Sequence, residues 1–260
     1  MLEFVTAIAR DAGALLRGEF RRDRQLDFKS RAEIVTDMDL ASERLIIERV
    51  AARFPEHHII SEEGGGRDLR SRWVWLIDPL DGTNNYAHGQ PFFAVSIALL
   101  QDDKLELGVV YDPVHDECFT ATSDDVARLN GQPIRVSRID QLRAAQLSTG
   151  FPYDRWSRPD TNVPEFQAMV MQCQDLRRMG SAALDLCAVA AGRNEGHWEL
   201  ELKPWDSAAG AIIVQRAGGQ VSDRHGKPFI PWIRNVVASN GLLHAAMLDV
   251  LATAQTEPAV

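Results

Sequence analysis

The chain has 260 residues, 45% of them hydrophobic and 25% charged, and a formal net charge of −9. That balance excludes a disordered chain and argues against a nucleic-acid binder, and no apolar run reaches the roughly 18 residues of a membrane-spanning helix. Three widely spaced cysteines, Cys118, Cys173 and Cys187, form neither a disulfide framework nor a structural zinc site, and Glu3, Arg10 and Asp11 interrupt any signal-peptide pattern, so the reading places the protein in the cytoplasm.

Phe4, Ile8, Ala12, Leu15 and Leu16 recur at helical spacing and predict an opening amphipathic helix that ends near Gly18 or Phe20. The basic segment after it, with Arg21, Arg22, Arg24, Lys29 and Arg31, is interrupted by Asp23, Asp27 and Glu33 and lacks an aromatic series, so it reads as a solvated loop rather than a nucleic-acid arm. Leu40, Leu45, Ile46, Val50 and Phe54 predict a second helix closed by Pro55, and a short Ile59-Ile60 strand then delivers Glu62 to its end. From Trp73 to Thr122 the pattern is that of an antiparallel sheet, with strands at Val74–Ile77, Phe92–Leu100, Leu105–Tyr111 and Cys118–Ala121. Beyond about Arg138 helices and strands alternate: Leu142–Ser148 and Val236–Ala238 read as strands, and Pro164–Cys173, Ser181–Ala191 and Ser207–Ala217 as helices. No repeat, low-complexity tract or Pro/Gly/Ser-rich linker divides the chain.

The chemistry concentrates in Trp75-Leu76-Ile77-Asp78-Pro79-Leu80-Asp81-Gly82-Thr83, where an apolar strand ends in two carboxylates and a glycine turn. Buried and unpaired, Asp78 and Asp81 would each cost several kcal/mol, so they call for a cation or generous hydrogen bonding. An Asp-Xaa-Xaa-Asp alone reads as a capped turn with solvated acids; the distant acids Glu62, Glu63 and Asp206 tip the reading towards an all-oxygen site for Mg²⁺ or Mn²⁺. Such ions reconcile an acidic protein with an anionic phosphate substrate. Gly82 and Thr83 are expected to open a helix or tight turn whose free N–H groups suit a phosphate oxygen. The histidines, His57, His58, His88, His115 and His197 among them, show no paired ligand spacing and are given no role.

With Ile34-Val35-Thr36-Asp37-Met38-Asp39, Gly180-Ser181-Ala182-Ala183, Pro204-Trp205-Asp206 and Ala217-Gly218-Gly219, these strings span almost the whole chain. In their order and spacing they resemble the inositol monophosphatase family of Mg²⁺-dependent, lithium-sensitive phosphatases, and the bacterial type in particular. The resemblance implies a layered α-β-α-β-α sandwich, with an α+β half over 1–138, an α/β half over 139–260, and the site between them. It assigns Asp78 to both principal metals, Glu62 and the Leu80 carbonyl to the first, and Asp81 with Asp206 to the second. Thr83 and Asp39 would orient a water, which the first metal makes more acidic and which attacks phosphorus directly, while the second metal stabilises the departing alkoxide. Asp81, Gly82, Thr83 and Asp206 would contact the substrate, Gly180, Ser181 and Ala182 would form the polyol corner, and Glu199 would meet an inositol hydroxyl or, equally, an amine. Asp185, on the helix after Ser181, is expected to matter far less. Asn84, where a second threonine is common, and Trp198, in place of Tyr or Phe, depart from the family pattern without removing a ligand. The implied substrate is a small phosphorylated polyol or amino alcohol, inositol 1-phosphate first, with histidinol phosphate and fructose 1,6-bisphosphate as alternatives; 3′-phosphoadenosine 5′-phosphate fits the Asn84-Asn85-Tyr86 continuation less well. A homodimer is also implied. A reading from another class is a binding partner of the transcription machinery.

Overall fold

The computed structural model describes residues 1–21, 27, 28, 34–64 and 71–254; Arg22, Arg24, Lys29 and Arg31 of the basic segment lie outside them. Helix α1 (Leu2–Glu19) leads to the short antiparallel pair β1 (Asp27–Phe28) and β2 (Ile34–Val35), then to α2 (Asp37–Arg53). The first sheet holds β3 (His58–Ser61), β4 (Trp73–Asp81), β5 (Ala94–Gln101), β6 (Lys104–Asp112), β7 (Glu117–Thr122), β8 (Arg128–Leu129) and β9 (Gln132–Pro133), side by side in that order. Only β3 and β4 run parallel in it, and the short helix α3 (Thr83–Ala87) follows β4.

The second sheet contains β10 (Gln146–Thr149), β11 (Asp175–Arg177), β12 (Gly196–Glu199), β13 (Gln220–Ser222) and β14 (Val236–Ser239), in the order β11-β10-β12-β14-β13. Here β10 is parallel to β11 and β12, whereas β14 is antiparallel to both of its neighbours. Helices α4 (Val163–Val170), α5 (Ala182–Ala190), α6 (Pro204–Arg216) and α7 (His244–Ala254) complete the chain.

Strand alternation explains the layers. On β4, Trp75 and Ile77 face Ile8, Leu16, Ile46 and Val50 of α1 and α2, and Val74 and Leu76 face the opposite way, into the cluster holding α5 and α6. Both central helices are buried nearly all round, as helices between two sheets must be. Val236 and Ala238 of β14 close that central layer, and Val237, with Leu147 and Trp198, packs outward on Met169, Met247 and Leu251 of α4 and α7. The result is the α-β-α-β-α sandwich that the family resemblance implies.

Several boundaries differ from the sequence reading. Leu142–Ala144 is a 3₁₀ turn, tightened by Ala144 and Ala145 donating to the carbonyls of Gln141 and Leu142, and the strand begins only at Gln146. Phe92 lies in the turn before β5. Helix α6 starts at Pro204 rather than Ser207, because proline is favoured in a first turn and the Asp206 carboxylate accepts the Lys203 N–H at 2.7 Å. Asp206 therefore sits on the first turn of the helix and not before it.

Candidate active site

Strand β4 runs through Asp81, with its register to β5 broken between Asp78 and Asp81. The break lets both carboxylates and the Leu80 carbonyl turn towards the seam where the first sheet meets the first turns of α5 and α6. A cavity of about 580 Å³ opens there, walled by Glu62, Asp78, Leu80, Asp81, Gly82, Thr83, Gly180, Ala182, Glu199 and Asp206. Asp39 and Ser181 stand behind that wall. Gly82 adopts φ +93°, and a Cβ there would come within 3.0 Å of the Phe92 carbonyl and 3.2 Å of that of Gly180, so glycine is required.

Each acid is held by backbone donors. Asp78 Oδ1 accepts the Leu80 N–H at 3.1 Å. Asp81 Oδ2 accepts the Ser181 hydroxyl at 2.5 Å and the Ala183 N–H at 2.8 Å. Ser181 is thus spent on Asp81 and on capping α5 at the Leu184 N–H, and is turned away from the cavity. Burial, followed by the repulsion of Glu62, Asp81 and Asp206, pushes the Asp78 carboxyl well above the ordinary carboxylate range. Asp206 is raised likewise, by burial and by Glu62, Asp81 and Glu199, against the pull of its Lys203 hydrogen bond. Asp81 is pushed up to about 6, again first by burial, with Ser181 and Ala183 opposing.

Buried carboxylates that repel one another suit a hard cation, and Glu62, Asp78, Asp81, Asp206 and the Leu80 carbonyl are the oxygens that could hold one. Among the described residues, no three His, Cys, Asp or Glu side chains stand close enough to cage an ion by themselves. Mg²⁺ needs no such cage, since it keeps several waters and takes only one or two carboxylates.

Helix α2 supplies a feature of which the sequence reading held only the pairing of Asp39 with Thr83. Asp39, Ser42 and Glu43, at i, i+3 and i+4, continue its buried stripe of Ile46 and Val50 and are themselves buried. Asp39 Oδ1 accepts the Thr83 hydroxyl at 2.9 Å, and its Oδ2 accepts the Thr36 N–H at 2.8 Å and the Thr36 hydroxyl at 2.6 Å. Ser42 donates to the Pro79 carbonyl at 2.8 Å, and Glu43 Oε1 accepts the N–H groups of Glu63 and Gly64 at 3.0 Å. One helix face therefore clamps Thr83, the Pro79 turn and the Glu62-Glu63 turn. The available signal was polar residues occupying an otherwise apolar stripe. Across the seam, Asn85 donates one amide hydrogen to the Phe92 carbonyl (2.7 Å) and the other to that of Met179 (2.8 Å), tying α3 to the segment leading into α5.

The far wall carries Glu199 at the end of β12, its carboxylate lying where a Cβ on Gly150 would be, 1.9 Å from Oε1. Asp185, on the helix after Ser181, is buried behind this wall, its carboxyl raised to about 7 by burial and held down by His197. Arg178 and Lys203 also line the cavity, whereas Arg158 is engaged by Glu201 at 2.8 Å and Asp154 at 3.0 Å.

A sequence profile described as the inositol monophosphatase family matches residues 1–257. The Nus factor SuhB of Pasteurella multocida is 44% identical over 231 residues, 87% of this chain and 86% of that protein. An inositol-1-monophosphatase of Synechocystis is 42% identical over 253 residues, 96% of this chain and 88% of that protein. Among solved structures, the inositol monophosphatase of Anabaena (Nostoc) superposes with a TM-score of 0.89 at 40% identity, covering 97% of this chain and 95% of that one. A Thermotoga maritima IMPase gives a TM-score of 0.90 at 34% identity, covering 98% and 97%.

Proposed function

Since the chain belongs to the inositol monophosphatase family of phosphoric monoester hydrolases, we propose that it hydrolyses inositol 1-phosphate to inositol and phosphate with Mg²⁺, Mn²⁺ being a possible substitute. The observation that carries this reading is the meeting of Glu62, Asp78, Leu80, Asp81 and Asp206, drawn from three separate stretches of chain, on one wall of a single cavity with Glu199 opposite. Bound there, the metal supplies charge neutralisation for the phosphate and a more acidic water.

The chain's own residues supply position. Thr83 Oγ1 has one hydrogen, and Asp39 stands 2.9 Å away to receive it, which leaves the hydroxyl's lone pairs to accept a proton from a water in the cavity. Ser181 acts through Asp81, fixing Oδ2 so that Oδ1 is the oxygen offered to the ligand. Gly180 and Ala182 shape the corner for the polyol ring, and Glu199 accepts one of its hydroxyls. The same reading carries inhibition by lithium, a homodimer and a cytoplasmic location. A panel of inositol 1-phosphate, histidinol phosphate, fructose 1,6-bisphosphate and glycerol 2-phosphate tests it: inositol 1-phosphate should have the highest kcat/KM, and a win for histidinol phosphate would make Glu199 an amine-binding group.

The name Nus factor, carried by relatives 41–44% identical, favours a second reading, contact with the transcription machinery. Retained hydrolytic residues do not exclude it. An Asp81→Asn protein that still co-purifies with the transcription complex while failing to release phosphate would separate the two roles.

A further inference from the structure

Behind Glu199 lies a second polar cluster that the proposed chemistry does not use. On β12, His197 and Glu199 share one face and Trp198 takes the other, where its indole donates to Asn162 at 2.7 Å. His197 is fully buried. Ser148, its register partner on β10, places Oγ 3.0 Å from His197 Nδ1, and Asp185 of α5 stands 4.0 Å from the same nitrogen. On the other side, His197 Nε2 faces Glu199 Oε2 at 3.5 Å.

The groups around the ring favour a proton on each nitrogen. The Ser148 hydroxyl oxygen can accept a hydrogen from Nδ1, and the Asp185 carboxylate stands beyond it. A proton on Nδ1 thus meets a hydroxyl oxygen at 3.0 Å and a carboxylate oxygen at 4.0 Å. Neither Nε2 nor Asp185 Oδ1 makes a hydrogen bond among the described residues, and Glu199 meets Nε2 at ion-pair distance. A bare Nε2 would set a buried lone pair against the Glu199 carboxylate; a protonated Nε2 puts a donor there. Among the described residues the charged groups at ion-pair distance from the ring are both acids, Asp185 from α5 and Glu199 on its own strand, and Asp81 of β4 adds its charge from further away. Burial opposes the charged ring, yet these acids hold its pKa above the ordinary histidine value.

We propose that His197, as a buried imidazolium paired with Glu199, is a specificity-determining positioning residue that fixes this carboxylate as an acceptor for a neutral hydroxyl and offsets the charge that would draw an ammonium group. The chain then prefers polyol phosphates over amino-alcohol phosphates. This rests on the reading that Glu199 faces the substrate.

The test compares kcat/KM for inositol 1-phosphate, histidinol phosphate and glycerol 2-phosphate in the Mg²⁺-loaded wild type, His197→Phe, His197→Gln and Glu199→Gln. The inositol-to-histidinol ratio should fall about tenfold in His197→Phe, the scale of one charged hydrogen bond. His197→Gln, which keeps a donor without the charge, should recover part of the inositol rate while the ratio stays shifted. Parallel losses on all three substrates would mean mere packing and overturn the inference. If Glu199→Gln leaves the ratio unmoved, the reading of Glu199 has failed and the inference with it; if Glu199→Gln moves it and neither His197 variant does, the inference alone has failed. Should those variants not fold, ¹⁵N NMR of the wild-type imidazole at pH 7 decides: both nitrogens protonated supports the proposal, and an unprotonated Nε2 overturns it.

Discussion

Replacing Asp39 with asparagine should cut turnover by orders of magnitude while leaving the fold intact, because it inverts one hydrogen bond and keeps the others. Thr36 presents two donors to Oδ2, its N–H at 2.8 Å and its hydroxyl at 2.6 Å. The amide oxygen of the substituted side chain must take that place, which forces its NH₂ towards Thr83 Oγ1. Thr83 then receives a hydrogen instead of giving one, and its own proton turns to the Leu80 carbonyl at 3.0 Å, an oxygen wanted for the metal. Loss of one positioned electrostatic or proton-accepting contact sets the scale, on the order of 10²–10³ in kcat. Stability should move the other way or hardly at all. Burial is the largest influence on the Asp39 carboxyl and raises its pKa, so the folded state binds a proton more readily than the unfolded chain. The ionised group therefore costs stability once the pH exceeds the unfolded value of about 3.9, and a neutral amide relieves that cost while weakening the charged cap. Phosphate release and thermal melting, measured on the same preparation, check both halves. A kcat within about threefold of wild type at full metal occupancy would refute the Thr83–Asp39 argument, and a collapse in melting temperature would show that the acid is chiefly structural.

Asp81→Asn should lower kcat by about 10²–10³, and Ser181→Ala should do so less, since it removes only one charge-assisted bond to Oδ2. Phosphate release should vanish in excess EDTA and return with Mg²⁺, and lithium at millimolar concentration should inhibit; undiminished turnover in EDTA would sink the metal reading. Glu199→Gln should cost roughly 1.5–3 kcal/mol of discrimination for inositol 1-phosphate over glycerol 2-phosphate, read as the ratio of kcat/KM. Urea denaturation should show an acid-sensitive contribution from His244, whose ring bridges Ser222 at 2.8 Å and Ser239 at 2.9 Å. Burial lowers its pKa, so the unfolded chain binds the proton first and stability falls as pH drops through about 6.5, a slope that His244→Gln should flatten.

Strong periodicity made α1, α2 and the strands of the first sheet legible, and the break from Ile77 into Asp78 marked the end of an apolar strand. The polar members of buried faces were not legible in this way. Asp39 entered through its motif, but Ser42 and Glu43 drew no reading, because one sequence does not reveal which polar positions of a helix turn inward. Four-residue β12 escaped notice for a related reason: Gly196, His197 and Glu199 carry no apolar alternation, and their burial depends on α5 arriving from elsewhere in the chain. The burial of Asp185 beside His197 was not legible either, because nothing local announces that these two side chains meet. The start of α6 was recoverable from Pro204 at a first helical turn.

Helix α2 sets a trap for any attempt to make this protein more robust. Its inward stripe is apolar from Ile46 onward but polar at Ser42 and Glu43, and a search for better core packing would fill those positions with alanine or leucine first. Such changes would cut the anchors of the Pro79 turn and of the Glu62-Glu63 turn together, so a hardier helix would carry a slackened catalytic wall. Resistance to heat and speed of turnover are opposed at these two positions, and variants selected for the first should be screened there for loss of the second.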